Sequence, residues 1–273
     1  MRIRIQHRMA YIYDQPISSI IQVLRLTPRN SEGQRVRNWR IDADHDVQLL
    51  NGEDAFGNIV HTLSFLRPLD DVAITVMGEV ETHDTHGVVK GTMERFAPGL
   101  YLRETALTQP TAALRTFARD SAGKGEVLDR VHRVLTAVHE TMTFDKALSD
   151  ATTPAAKALA AKRGHAQDLA HVFIASMRVL DIPARYIGGY LARGEDIAQD
   201  GAVHGWAEAY VPKLGWIGCD PAAGISASEA HVRVAVGLDY LGAAPVRGTH
   251  QGGEEERLTV QVTADLSQQQ RQN

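Results

Sequence analysis

His204 and Asp220 are the residues of this 273-residue chain whose pattern is best suited to acid–base chemistry. Val203 to Val211 alternates as a strand, with His204, Trp206, Glu208 and Tyr210 on one face and Val203, Gly205, Ala207 and Ala209 on the other. Gly215 to Asp220 alternates likewise and groups Trp216, Gly218 and Asp220. Lys213-Leu214-Gly215 is a tight connection, so the two strands are expected to form a hairpin in which His204 and Asp220 face the same side. An imidazole held by a carboxylate is a general base with a fixed tautomer and orientation. Cys219 is the lone thiol, but as the neighbour of Asp220 it must point to the opposite face, which suits a buried structural role.

A second group, His165, Asp168 and His171, falls at i, i+3 and i+6 and could join His204 and Asp220 around a metal. A six-residue step turns a helix by roughly 240°, so His165 and His171 would not share a face. Supporting hydrogen bonds are therefore expected of this group, and no metal. The element that positions it is legible from its ends. Thr153-Pro154 starts a short helix, and Lys162-Arg163-Gly164 reads as its basic last turn and glycine terminator, placing the end at residue 163. A second helix opens near Ala166, buries Leu169, Phe173, Met177 and Leu180, and stops before Pro183. Ala166 thus stands at an inward-facing helix start, where unpaired N–H groups and the helix dipole would stabilise a thiolate or a developing oxyanion. Ser176 lies nearly three turns further on and cannot occupy the same place.

Four segments occur in order: Arg163-Gly164-His165-Ala166-Gln167-Asp168-Leu169-Ala170-His171, Ile182-Pro183-Ala184-Arg185-Tyr186, His204-Gly205-Trp206-Ala207-Glu208 and Gly215-Trp216-Ile217-Gly218-Cys219-Asp220-Pro221. Together they resemble the core of the bacterial transglutaminase-like, cysteine peptidase-like superfamily. The resemblance implies an α+β fold, in which a papain/transglutaminase-like core packs the helix bearing the nucleophile position on an antiparallel sheet, behind a small antiparallel β domain. It implies peptide or amide hydrolysis, or acyl transfer through a thioester, by a Cys-His-Asp triad that needs no cofactor. On this sequence the triad positions fall on Ala166, His204 and Asp220, with His165, Gln167, Asp168, His171 and Trp206 as substrate-binding or supporting residues. His165 and Gly205 also depart from the family pattern, where Val and Ala are common.

With alanine at the nucleophile position, three readings stand open. The chain naturally carries Ala166 and is a pseudoenzyme that binds a peptide or protein amide as a partner of an active enzyme, or it is an active peptidase or transglutaminase silenced by an engineered Cys-to-Ala change, or its site is re-tooled so that its His and Asp residues direct a water or a metal.

The remaining sequence supplies the frame. Residues 1–82 alternate with period two (Ile3, Ile5, His7, Met9 and Tyr11; later Val72, Ile74, Val76 and Val80) and read as an antiparallel β domain, with turns at Asn51-Gly52 and Asp54 to Asn58. Residues 83–110 form a connection, 111–248 the core, and 249–273 a last strand and a polar tail. Within the core, Glu126 to Glu140 is an amphipathic helix, and Gly188-Gly189 marks a bulge or close backbone approach. Arg193 to Gly201 is a polar loop before His204, suited to contacting substrate or simply to connecting strands. A formal charge of −4 without a basic stripe gives no footprint for nucleic acid, no stretch reaches transmembrane length, and one cysteine precludes an internal disulfide. No secretory apolar segment opens the chain, so a cytoplasmic location is the default expectation.

Overall fold

The computed structural model describes residues 1–45, 47, 49–145, 151–192, 203–253 and 255–266. The loop expected at 193–201 and the polar tail from 267 lie outside the described residues. The amino-terminal alternation forms β1 (Arg2–Ile17), β2 (Ser19–Thr27), β3 (Gln34–Ala43), β4 (Leu49–Glu53), β5 (Ile59–Phe65) and β6 (Leu69–Thr82). Every second residue of β1 from Ile3 to Tyr13 is buried, which fixes the strand's register against its core. Asn51-Gly52, expected as a turn, instead lies within β4 opposite His61 and Val60. The chain reverses at 54–58, where Asp54 Oδ1 accepts the N–H groups of both Phe56 and Asn58 and so outweighs the local Asn-Gly signal.

The connection contributes β7 (Val88–Val89) and a 3-10 turn at Pro98–Leu102. There follow α1 (Ala112–Ala122), α2 (Val127–Thr141), β8 (Thr143–Phe144), α3 (Ala155–Ala161), β9 (Arg163–Gly164), α4 (Ala166–Val179), β10 (Ala184–Leu191), β11 (Val203–Val211), β12 (Gly215–Asp220), β13 (Ile225–Ser226) and β14 (His231–Gly237). The chain closes with α5 (Tyr240–Ala243), β15 (Val246–Gln251) and β16 (Glu256–Leu266). The core sheet runs β13-β12-β11-β10-β14, with β7 added alongside β12. Two four-stranded sheets, β16-β1-β6-β3 and β15-β2-β5-β4, make the amino-terminal domain. The last two strands therefore return to the first two, with Ala264 opposite Ile5 and Gly248 opposite Gln22.

α3 is shorter than its sequence suggests. It ends at Ala161, Lys162 takes the left-handed turn (φ 53°), and Arg163–Gly164 pairs in parallel with Thr143–Phe144. The backbone after Ala161 is recruited by β8: Lys162 O accepts from Thr143 N–H, and Gly164 O from Asp145 N–H. Gly164 is needed for a different reason from helix termination. A Cβ there would lie 2.7 Å from Asp168 Cβ.

α4 is the central helix, with every residue from Ala166 to Arg178 buried. Leu169, Phe173 and Met177 belong to the main core with Tyr186, Ala207, Ala209 and Cys219 on the sheet. Small alanines on β11 let the helix approach the strand closely, and burial of its larger side chains contributes about 1.5–3 kcal/mol each. Ile187, Trp206, Trp216 and Val236 form a second apolar cluster with Tyr101.

Candidate active site

The start of α4 is braced from two sides. His165 is its N-cap residue, and its backbone N–H donates to Asp168 Oδ2 at 2.8 Å, so the N3 carboxylate closes the first turn. His171, 1% exposed, accepts the Tyr240 N–H on Nε2 at 3.0 Å and ties α4 to α5. Burial lowers the His171 pKa to about 4 and keeps the ring neutral. Asp168 and His171 thus hold the helix in place. His165 sets its ring against Phe144, 5.7 Å between centroids, and Gln167 is buried in the same turn. Ala166 is 1% exposed, with only a methyl group at the helix start.

The hairpin of β11 and β12 aligns Ala207 with Cys219, which puts His204 and Asp220 on the same face at one end. His204 Nε2 lies 2.7 Å from Asp220 Oδ2, and both side chains are buried. Asp220 Oδ1 accepts the N–H groups of Ala222 and Ala223 at 3.0 and 3.2 Å. Burial by itself raises the Asp220 pKa, but hydrogen bonds from His204 and His231 hold it well below the usual carboxylate range. An ionised carboxylate only accepts, so His204 carries its proton on Nε2 and Nδ1 is its basic nitrogen. Trp206 stacks near the ring of His204, with centroids 6.2 Å apart and planes 24° from parallel.

Cys219 is fully buried among the residues under α4, and burial, then Glu208 and Asp220, push its thiol far above the ordinary range. It has no thiolate to offer. Ser176 donates its hydroxyl to Val172 O within α4. Neither residue replaces a nucleophile at 166, so the described residues provide an oriented base with no side-chain oxygen or sulphur assigned to it.

Gly205 has a structural cause. A Cβ there would fall inside contact distance of Tyr186 Oη and 2.8 Å from Tyr186 Cζ. Gly205→Ala is expected to lower stability by about 1–3 kcal/mol, the usual cost of overfilling a packed site. Gly205→Ala with Tyr186→Phe should recover only part, because the ring carbon still crowds the methyl group. Equal denaturation midpoints for wild type and Gly205→Ala would contradict this assignment.

His231 carries no signal in a local reading of the sequence, yet it belongs to the site. Its Nε2 lies 3.1 Å from Asp220 Oδ2, the oxygen bound by His204. In the core sheet β14 is separated from β12 by β10 and β11, so strand alternation alone cannot bring His231 to Asp220. The glycine pair on β10 contributes to the arrangement. The β10–β14 register shifts between Gly188 and Gly189, and a Cβ on Gly189 would lie 2.8 Å from Trp206 Cη2. Trp206 extends over that gap and meets His231 edge-on, with centroids 5.1 Å apart.

Comparison with known proteins agrees with this fold. Residues 3–81 match the Bacterial transglutaminase-like N-terminal region, and residues 115–221 match the Transglutaminase-like superfamily core. An uncharacterized protein of Mycobacterium leprae is 28% identical over 96% of this chain and 97% of its own length. An uncharacterized protein of Mycobacterium tuberculosis is 26% identical over 97% of this chain and 92% of its own. The crystal structure of a candidate cysteine protease from Cytophaga hutchinsonii superposes with a TM-score of 0.77 at 20% identity, covering 97% of this chain and 90% of that one. The chain joins a bacterial transglutaminase-like N-terminal region to a transglutaminase-like α+β core, and it belongs to the transglutaminase-like superfamily.

Proposed function

We propose that this protein is a catalytically silent transglutaminase-like protein that binds a peptide or protein amide near Ala166, His204 and Asp220. Two observations support this reading: residue 166, at the start of α4, is a buried alanine, and His204 is held by Asp220, whose second oxygen accepts two backbone N–H groups. A methyl group at 166 cannot attack a carbonyl, whereas His204 and Asp220 keep the hydrogen bond of an oriented base. A base that remains ordered while its chemistry is gone suits recognition, alone or beside an active partner enzyme. A cytoplasmic setting belongs to the same proposal.

The test combines turnover and binding on the unmodified protein. With glutamine-containing peptides such as benzyloxycarbonyl-Gln-Gly and a fluorescent casein digest, we expect no ammonia or peptide release above the uncatalysed rate and no covalent adduct by mass spectrometry. Saturable binding of the digest is expected alongside. Turnover that disappears in His204→Ala would instead establish a re-tooled base acting through water, and absence of saturable binding would remove the recognition role.

A further inference from the structure

We infer that His231 is a positioning residue of this site, a second imidazole that fixes Asp220 and, through it, the tautomer and direction of His204. The inference deepens the proposed function and rests on His204–Asp220 as the base of that site. Two hydrogen bonds define its role. His231 Nδ1 faces the backbone N–H of Ser228 at 3.1 Å, and a backbone N–H can only donate. Nδ1 is therefore the acceptor nitrogen, and the ring proton sits on Nε2, 3.1 Å from Asp220 Oδ2.

Asp220 then receives four donors: His204 and His231 on Oδ2, and the N–H groups of Ala222 and Ala223 on Oδ1. A carboxylate held at both oxygens cannot rotate without breaking several bonds at once, so His204 keeps its proton on Nε2 and its basic Nδ1 in one direction. The Trp206 ring, edge-on to His231 and stacked near His204, blocks lateral movement of both imidazoles.

The same three side chains place ligand-type atoms within 4.8 Å of one another, a spacing that invites a metal reading. The Ser228 contact opposes it. A metal on His231 Nε2 requires the ring proton on Nδ1, where it would confront the Ser228 N–H. The described geometry suits a proton on Nε2 and an ionised acceptor between two donors.

The experiment is nuclear magnetic resonance on the full chain with 15N-labelled histidine, reading ring tautomers by long-range proton–nitrogen correlation. Both His231 and His204 are expected as Nε2–H tautomers. In His231→Leu, the His204 Nε2 proton should exchange with water roughly tenfold faster, since a hydrogen bond to a charged group has been lost. His231→Gln, which retains an N–H donor, should restore slow exchange, while backbone amides of β11 stay unchanged in both variants. A His231 proton on Nδ1, or exchange at His204 unaffected by His231→Leu, would overturn the inference. So would stoichiometric Zn2+ moving the nitrogen resonances of both rings, which would make the cluster a metal site. If His231→Leu does not fold, the tautomer in the unmodified protein and the His231→Gln variant decide the matter. None of these signals requires Cys at 166 or a substrate, so failure of the proposed function and failure of this inference are separately visible.

Discussion

Ala166→Cys is expected to turn the protein into an acylating enzyme, with a thioester detectable by mass spectrometry on glutamine-containing peptides and amide hydrolysis at least about 10²-fold above the Ala166 protein. The size follows from how nucleophile and base act as a unit: removing one member of such a set costs as much as about 10⁶ in turnover, so restoring it should recover a measurable part. The new thiol would replace a methyl group already buried at the start of α4, where the helix dipole favours an anion. α4 needs no rebuilding for this, because Asp168 closes its first turn and His171 ties it to Tyr240. Ala166→Cys with His204→Ala should fall back to within a few-fold of the starting protein. A folded Ala166→Cys protein that forms no acyl adduct would mean that residue 166 and the His204–Asp220 pair do not constitute one site.

The largest expected loss of stability lies on the same face of β11. Glu208 is completely buried, with Oε2 accepting Arg185 Nε at 2.6 Å and Oε1 accepting Arg233 Nε at 2.7 Å. Arg185 is committed further, bonding Glu94 through both terminal nitrogens and lying 3.9 Å over the ring of Trp216. Burial opposes ionisation of Glu208, but the charges of Arg233 and Arg185, then their hydrogen bonds, lower its pKa below the ordinary value. Glu208→Gln retains the shape and removes the charge, depriving Arg233 of its carboxylate partner and leaving Arg185 with Glu94 alone. Breaking a buried ion pair from one side costs about 3–5 kcal/mol, and the urea midpoint of Glu208→Gln should drop accordingly. A change below about 1 kcal/mol would show that water compensates the arginines and that the network does not support the sheet.

Much of the site was legible locally. Alternation from Val203 to Val211 and from Gly215 to Asp220 suffices to put His204 and Asp220 on one face, and the helical period from Leu169 to Met177 suffices to bury the start of α4. The same rule kept Cys219 apart from Asp220. Long-range pairing escaped this reading. Nothing in the local pattern of His231 or Glu256–Leu266 states which strand each will meet, because partners lie far away in sequence and the period of two is the same in every sheet. The misread ends share a physical cause: Lys162–Gly164 and Asn51–Gly52 follow backbone partners on neighbouring strands in preference to their own helix or turn tendencies.

The central claim is that His204, held by Asp220, is directed at whatever stands at position 166. Alkylation of Ala166→Cys by iodoacetamide at pH 6, followed by mass spectrometry under denaturing quench, tests it without any substrate. A free thiol with a pKa of about 8.5 is almost wholly protonated at that pH, whereas a thiol paired with an imidazole titrates several units lower. Allowing for the weaker nucleophilicity of a more acidic thiolate, the reaction should run roughly tenfold faster in Ala166→Cys than in Ala166→Cys with His204→Ala. Equal rates in the two proteins, each rising only as pH approaches 8.5, would contradict the claim.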